Sequence, residues 1–64
     1  MNDYGKAVRD ILSDNSCEFV RHGRGDHDIW RSPLVEKPFT VPAKIKSRHT
    51  ANKVLKDAGL PKAF

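Results

Sequence analysis

The chain has 64 residues, of which 12 are Lys or Arg and 8 are Asp or Glu, giving a formal net charge of +4. This length predicts one domain over residues 1–64, with a thin core, because a domain of this size buries only about 60% of its unfolded surface. No apolar run approaches the roughly 18 to 20 residues that cross a bilayer, and residues 1–6 lack an apolar signal-peptide core, so we expect a cytoplasmic protein. The single cysteine, Cys17, excludes an internal disulfide, in agreement with a reducing compartment.

The positive charge is concentrated in the C-terminal half. Residues 1–32 carry five Lys or Arg against six Asp or Glu, whereas residues 33–64 carry seven against two. A basic surface favours polyanions, among which nucleic acid is the commonest partner. A small domain that simply carries excess lysine would show the same charge, so composition leaves both interpretations open.

The chain begins with a predicted amphipathic helix. Apolar residues recur at helical spacing over residues 4–12, with polar side chains off the stripe. Asn2 or Asp3 is suited to cap the start, and the polar run 13–16 ends the helix and turns the chain. We therefore predict a helix over about residues 3–13.

Three short strands are predicted next. Residues 17–22 and 26–31 contain strand-forming side chains and are separated by the glycine turn 23–25, a pattern typical of a β-hairpin. Residues 39–41 form a third strand, which we expect to stop at Pro42 because proline has no N–H to donate to a sheet.

A second helix closes the chain. Ser47 is the expected N-cap, an apolar stripe runs to Ala58, Gly59 has the left-handed C-terminal position, and Pro61 prevents continuation. The order helix, strand, strand, strand, helix predicts an α+β fold. We expect a two-layer α-β-β-β-α sandwich, with a three-stranded antiparallel sheet and both helices on one face, as in the double-stranded-RNA-binding domain.

Three segments together resemble the HicA family of bacterial toxin ribonucleases. Residues 19–30 look like its signature hairpin, in which a basic residue, a glycine and a small polar residue precede a histidine that opens the second strand. Residues 39–42 resemble its third strand, which ends in Val-Pro, and residues 50–60 resemble its closing helix. The resemblance implies an mRNA-cleaving toxin of a type II toxin–antitoxin pair, masked by a HicB-like antitoxin. Carried to this chain, the histidine required for activity is His27.

The expected chemistry needs neither metal nor another cofactor. RNA is cut when its own 2′-hydroxyl attacks the adjacent phosphate, which requires groups that move two protons and positive charge near the phosphoryl oxygens. Histidine suits either proton role. We expect His27 to be this acid or base, with Arg24, Asp26 and His22 as candidates for supporting roles. The alternative is an ordinary strand histidine.

The basic residues around the second helix predict contacts with RNA. A helix N-terminus flanked by cations favours phosphate binding, although a solvated charged face has the same composition. The candidate RNA-binding residues are Arg24, Lys44, Lys46, Arg48 and Lys53. Residues 22–28 also carry His and Asp side chains of metal-ligand type, but no spacing matches a structural zinc site, so we expect no metal.

Two other functions stay open on the sequence: a non-catalytic RNA-binding module, and a degenerate toxin that only binds its antitoxin. A pure binder has no need of the histidine in the turn Gly25-Asp26-His27. Asp26 stands where the family usually has Ser or Thr, and its carboxylate adds negative charge close to a bound phosphate. This departure keeps the degenerate toxin open.

The aromatic residues are expected to be structural. Alternation along the second strand sends His27 and Ile29 to one face of the sheet and the next residues, including Trp30, to the other. We expect Trp30, Phe19 and Phe39 to pack in the core, although Trp30 also has the chemistry to stack on a base. Phe64 is expected to be loosely held unless it docks on the second helix.

Overall fold

The computed structural model describes residues 3–64, and it confirms the predicted α+β fold. The three strands form one antiparallel sheet in the order β1-β2-β3, so both β1 and β3 are edge strands. No helix within residues 3–64 is long and apolar enough to span a membrane. The elements are α1 (Gly5–Asp14), β1 (Glu18–His22), β2 (His27–Arg31), β3 (Phe39–Pro42) and α2 (Arg48–Asp57).

Helix α1 begins two residues later than predicted, because Asp3 acts from outside it. The Asp3 carboxylate accepts a hydrogen bond from the Gly5 N–H at 2.8 Å and a second from the Ile45 N–H at 3.3 Å. The bond from Gly5, followed by the bond from Ile45, holds the pKa of the Asp3 carboxyl below its ordinary value. The positive charge of Arg9 lowers this pKa further. The other candidate cap, Asn2, lies outside the described residues.

Helix α2 has the predicted boundaries and caps. The Ser47 side chain accepts a hydrogen bond from the His49 N–H at 3.1 Å, which satisfies one of the free donors of the first turn. Gly59 has a φ of +82°, and the Leu60 N–H donates to the Leu55 carbonyl at 2.8 Å. This bond satisfies a carbonyl of the last turn that otherwise lacks a partner.

One apolar core joins both helices to one face of the sheet. Trp30 is only 7% exposed, so it packs in the core as predicted. Burying one large aliphatic side chain stabilises a fold by about 1.5–3 kcal/mol, so a few such residues dominate the stability of a 64-residue chain. The fully buried large side chains are Val8 and Leu12 of α1, Val41 of β3, Leu55 of α2 and Ile45 of the connector between β3 and α2.

The prediction that Phe19 belongs to the core is wrong. Its side chain is 47% exposed, because β1 is an edge strand and α2 packs against the opposite edge, β3. The Phe19 ring instead packs edge-to-face on Trp30, with ring centroids 6.2 Å apart. Its position in the sheet, and not its hydrophobicity, determines its exposure.

Phe64 docks on α2 and is not loosely held, which is the second of the two outcomes expected for it. Its N–H and carbonyl bond the Asn52 side chain at 3.1 Å each. The Phe64 ring also lies edge-to-face against Tyr4, with centroids 5.1 Å apart. The C-terminus is therefore held against α2 and against the residue that precedes α1.

Candidate active site

The turn between β1 and β2 places His27 at the exposed start of β2. The Gly23 N–H donates to the His27 carbonyl at 2.7 Å, and the His27 N–H donates to the Arg24 carbonyl at 3.2 Å. A Cβ at Gly23 would lie 2.9 Å from that His27 carbonyl oxygen, and Gly25 has a φ of +62°. The close approach therefore requires glycine at position 23, whereas Gly25 has a positive φ that glycine adopts without strain.

The sheet register determines which face His27 occupies. His27 pairs with Pro42 and Asp28 pairs with Val41. Val41 is fully buried under the helices, so Asp28 points to the helix-covered face and His27 to the open face. The predicted alternation along β2 is thereby confirmed.

His22 does not join His27. It pairs with Asp28 across the two strands, and its Nδ1 lies 2.9 Å from the Asp28 carboxylate. Both side chains are therefore on the face opposite His27. Of the two carboxylates that flank His27 in the sequence, that of Asp28 is therefore paired with His22. The His27 side chain itself makes no hydrogen bond with any residue between 3 and 64.

His27 borders an open cleft of about 360 Å³ between β3 and α2. Lys53, a predicted RNA-binding residue, lines the same cleft, so the fold brings it together with His27 although 25 residues separate them in the chain. Besides these two, the cleft is lined by Thr40 and Pro42 of β3 and by Thr50, Val54 and Asp57 of α2. Thr40, Thr50 and Asp57 were not predicted as site residues. The only local signal was the spacing of four residues between Lys53 and Asp57, which puts them on one helix face.

A backbone hydrogen bond joins the turn to the basic connector between β3 and α2. The Ala43 N–H donates to the Asp26 carbonyl at 2.7 Å. Lys44 follows directly, so the structure places its backbone beside the turn that carries Arg24 and His27. The Asp26 side chain is exposed.

The connector is held by residues near the N-terminus. The Arg9 guanidinium donates to the carbonyls of Pro42 and Ala43 at 3.2 and 3.0 Å. The Tyr4 N–H donates to the Ile45 carbonyl at 2.6 Å, and the Ile45 side chain is fully buried. Arg9 was not predicted as a site residue, because its partners lie more than 30 residues away in the chain.

The candidate phosphate ligands are exposed and form no ion pair with any residue of the range 3–64. Lys44 and Lys46 flank the buried Ile45, so both are directed towards solvent. Arg48 begins α2, whose first turn carries no acidic residue that would oppose an anion. Arg24 is exposed in the turn. Among the described residues the ion pairs are Lys6–Asp10 and His22–Asp28, so none of these four cations is neutralised by a contact within 4.0 Å.

The fold and this cleft define a small α+β domain that has an exposed histidine and a lysine in one cleft, with further exposed cations in the connector and at the start of α2. In the part of the chain that the structure describes, no group of three or more His, Cys, Asp or Glu side chains is arranged to hold a metal ion. Comparisons with protein families, with curated proteins and with solved structures find no match for this chain.

Proposed function

We propose that the chain is an endoribonuclease that cleaves messenger RNA, as the toxin of a HicA/HicB-type toxin–antitoxin pair. The observation that carries the proposal is the placement of His27, exposed at a cleft that also contains Lys53. The resemblance of residues 19–30, 39–42 and 50–60 to the HicA family supplies the reaction class. The substrate is a single-stranded region of mRNA, and the site of action is the cytoplasm.

The proposed reaction is an internal transfer of the phosphoryl group. The 2′-hydroxyl oxygen bonds to the adjacent phosphorus, the bond from phosphorus to the 5′-oxygen breaks, and a 2′,3′-cyclic phosphate and a free 5′-hydroxyl result. One proton leaves the 2′-hydroxyl and one is given to the 5′-oxygen. His27 transfers one of these protons, a contribution of about 100- to 10,000-fold for a positioned acid or base.

Lysine side chains stabilise the charge that develops on the phosphoryl oxygens in this proposal. Lys53 lies in the cleft with His27, and Lys44 extends from the connector beside the turn. The connector backbone is already held by Arg9 and Asp26, so binding RNA orders little additional backbone. This pre-organisation favours a phosphate site over an unconstrained basic loop.

The proposal also includes a protein partner that covers the same site. An antitoxin that covers the cleft would prevent RNA from reaching His27, and binding to the folded state would stabilise a chain with a thin core. The proposed partner is a HicB-like antitoxin. The alternative, a degenerate toxin that only binds its antitoxin, rests on Asp26, whose exposed carboxylate lies at the same turn.

The test compares two histidine variants that lie on opposite faces of the sheet. The purified chain is incubated with a labelled single-stranded RNA in the presence of a chelator, and the products are analysed for 2′,3′-cyclic phosphate ends. We expect cleavage by the native chain, a loss of at least about 100-fold in His27→Ala, and near-native cleavage in His22→Ala. Folded native protein that binds the RNA but leaves it intact would instead indicate a binding module. Equal losses in both variants would exclude His27 as the specific catalytic group.

A further inference from the structure

The open face of the sheet carries two arginines that the proposed active site does not use. Along β2, residues 27, 29 and 31 share a face, so Arg31 lies on the same side as His27. Arg21 pairs with Ile29 across β1 and β2, which puts it on that face too. The face therefore presents a line of basic and apolar side chains that continues from the cleft.

A β-bulge is responsible for the position of Arg21. Phe19 pairs with Trp30 and Arg21 pairs with Ile29, so Val20 is an extra residue in β1. Without the bulge, residues two apart would share a face, and Arg21 would point to the helix-covered side with Phe19. Bulges that redirect a side chain are common beside functional sites.

Both guanidinium groups are available to an anion. Arg21 and Arg31 are exposed, and neither lies within 4.0 Å of a carboxylate oxygen of any residue between 3 and 64. Arg21 makes one long hydrogen bond, 3.5 Å, to the His22 carbonyl. Glu18 pairs with Arg31 in the register, and Glu36 lines a pocket with Arg31 and Val20, so two carboxylates lie near the far end of this face. Among the described residues neither carboxylate lies within 4.0 Å of a guanidinium nitrogen, so an anionic ligand can still bind both arginines.

We propose that the open face is a track for the backbone of single-stranded RNA, which runs from the cleft at His27 along β2 to Arg31, with Arg21 beside it. This inference rests on the proposed function, because the bound strand is the substrate of that site. From His27 to Arg31 the strand spans about 13 Å, enough for contacts beyond the scissile phosphate. Trp30 and Phe39 are buried on the other face, and Phe19 packs on Trp30 there, so the strands present no Phe, Tyr or Trp on the open face for bases to stack on. Binding along the track depends on phosphates and tolerates sequence changes.

The experiment measures binding separately from cleavage. His27→Ala protein, in which the bound RNA stays intact, is titrated into a labelled oligouridylate of about 12 nucleotides, and fluorescence anisotropy gives Kd at several salt concentrations. The double variant with Arg21→Gln and Arg31→Gln should bind about tenfold more weakly. The salt slope, which is the magnitude of the slope of log K against log salt concentration, should fall by about 1.4, the value for two single-strand phosphate contacts. The control is Lys6→Gln on α1, which removes one charge, as each single Arg→Gln variant does, and should change neither quantity. The double Arg→Lys variant should retain most of the affinity.

The outcomes separate this inference from the nuclease proposal. The track is overturned if the Gln variants are folded by circular dichroism and bind RNA like the Lys6→Gln control, even if the native chain cleaves RNA. The open face would then be available to a protein partner instead. Gln variants that lose affinity while the native chain fails to cleave would support the track and remove the nuclease proposal. If the double variant does not fold, the single Arg31→Gln variant, with about half the effect on the slope, decides in the same way.

Discussion

His22 and Asp28 face each other across β1 and β2, with Nδ1 and Oδ1 2.9 Å apart, on the side of the sheet opposite His27. The His22 side chain is 86% exposed, so the pair contributes little to stability. We expect His22→Ala to lower the free energy of unfolding by less than about 1 kcal/mol in urea denaturation. RNA cleavage should stay within about twofold of native, because the side chain does not reach the cleft. A large loss of cleavage in a stable His22→Ala protein would contradict the separation of the two histidines.

Lys53 and Asp57 have opposite effects on a phosphate in the cleft. Lys53→Gln should weaken RNA binding and lower the salt slope by about 0.7, the value for one phosphate contact on a single strand. Asp57→Asn removes a negative charge from the same cleft and should tighten binding by a few-fold. Anisotropy with His27→Ala as the background checks both. Weaker binding in Asp57→Asn would show that its carboxylate has a positive role in the site.

Gly23 and Gly25 respond differently to substitution. An added Cβ at Gly23 lies 2.9 Å from the His27 carbonyl oxygen and 3.1 Å from Ile29 Cδ1, so Gly23→Ala must move the start of β2. We expect a loss of about 1–3 kcal/mol in thermal or urea unfolding, together with a clear loss of cleavage as His27 shifts. Gly25 has open space around it and only the strain of a positive φ, so Gly25→Asn should be nearly silent. Equal effects of the two variants would contradict this description of the turn.

Arg9 links α1 to the connector, and its loss should affect both stability and binding. Arg9→Ala removes the donors to the Pro42 and Ala43 carbonyls, which we expect to cost about 1–2 kcal/mol in urea unfolding. RNA affinity should fall as well, because the backbone before Lys44 is then held beside the turn by the Ala43–Asp26 hydrogen bond without the support of Arg9. Lys6→Ala on the same helix is the control and should cost at most about 0.5 kcal/mol, since the Lys6–Asp10 pair is exposed. Unchanged affinity in a folded Arg9→Ala protein would show that the connector needs no such support.

Asp3 makes the stability of the chain dependent on pH. Its pKa is lowered in the folded state from the ordinary value of 3.8, first by the Gly5 N–H and then by the Ile45 N–H. A lowered folded-state pKa gives stability that is fully present above the unfolded value and is lost as pH falls through the folded value. Asp3→Asn should therefore lower Tm at neutral pH, and the difference should shrink below about pH 4. The control is Glu36→Gln, at an exposed site where the side chain makes no hydrogen bond with the described residues. A Tm difference between Asp3→Asn and the native chain that stays constant from neutral pH to below about pH 4 would contradict the account.

Local patterns in the sequence were enough to predict the elements and one aspect of the site. The Ser47 cap, the left-handed Gly59 and the alternation that exposes His27 each depend on a few neighbouring residues, so they can be predicted without knowing the fold. The strands differ from the predicted runs by one residue at an end, where β3 includes Pro42 because an edge strand tolerates a missing N–H.

The tertiary structure alone decided what surrounds His27. Three features depend on which strand lies at which edge and where α2 packs. They are the placement of Lys53 in the same cleft as His27, the hydrogen bonds from Arg9 to the connector and the exposure of Phe19. The bulge that directs Arg21 to the open face depends likewise on its pairing with β2. These contacts join residues far apart in the chain, and their energy is gained only when the whole sheet and both helices assemble, so no local pattern specifies them.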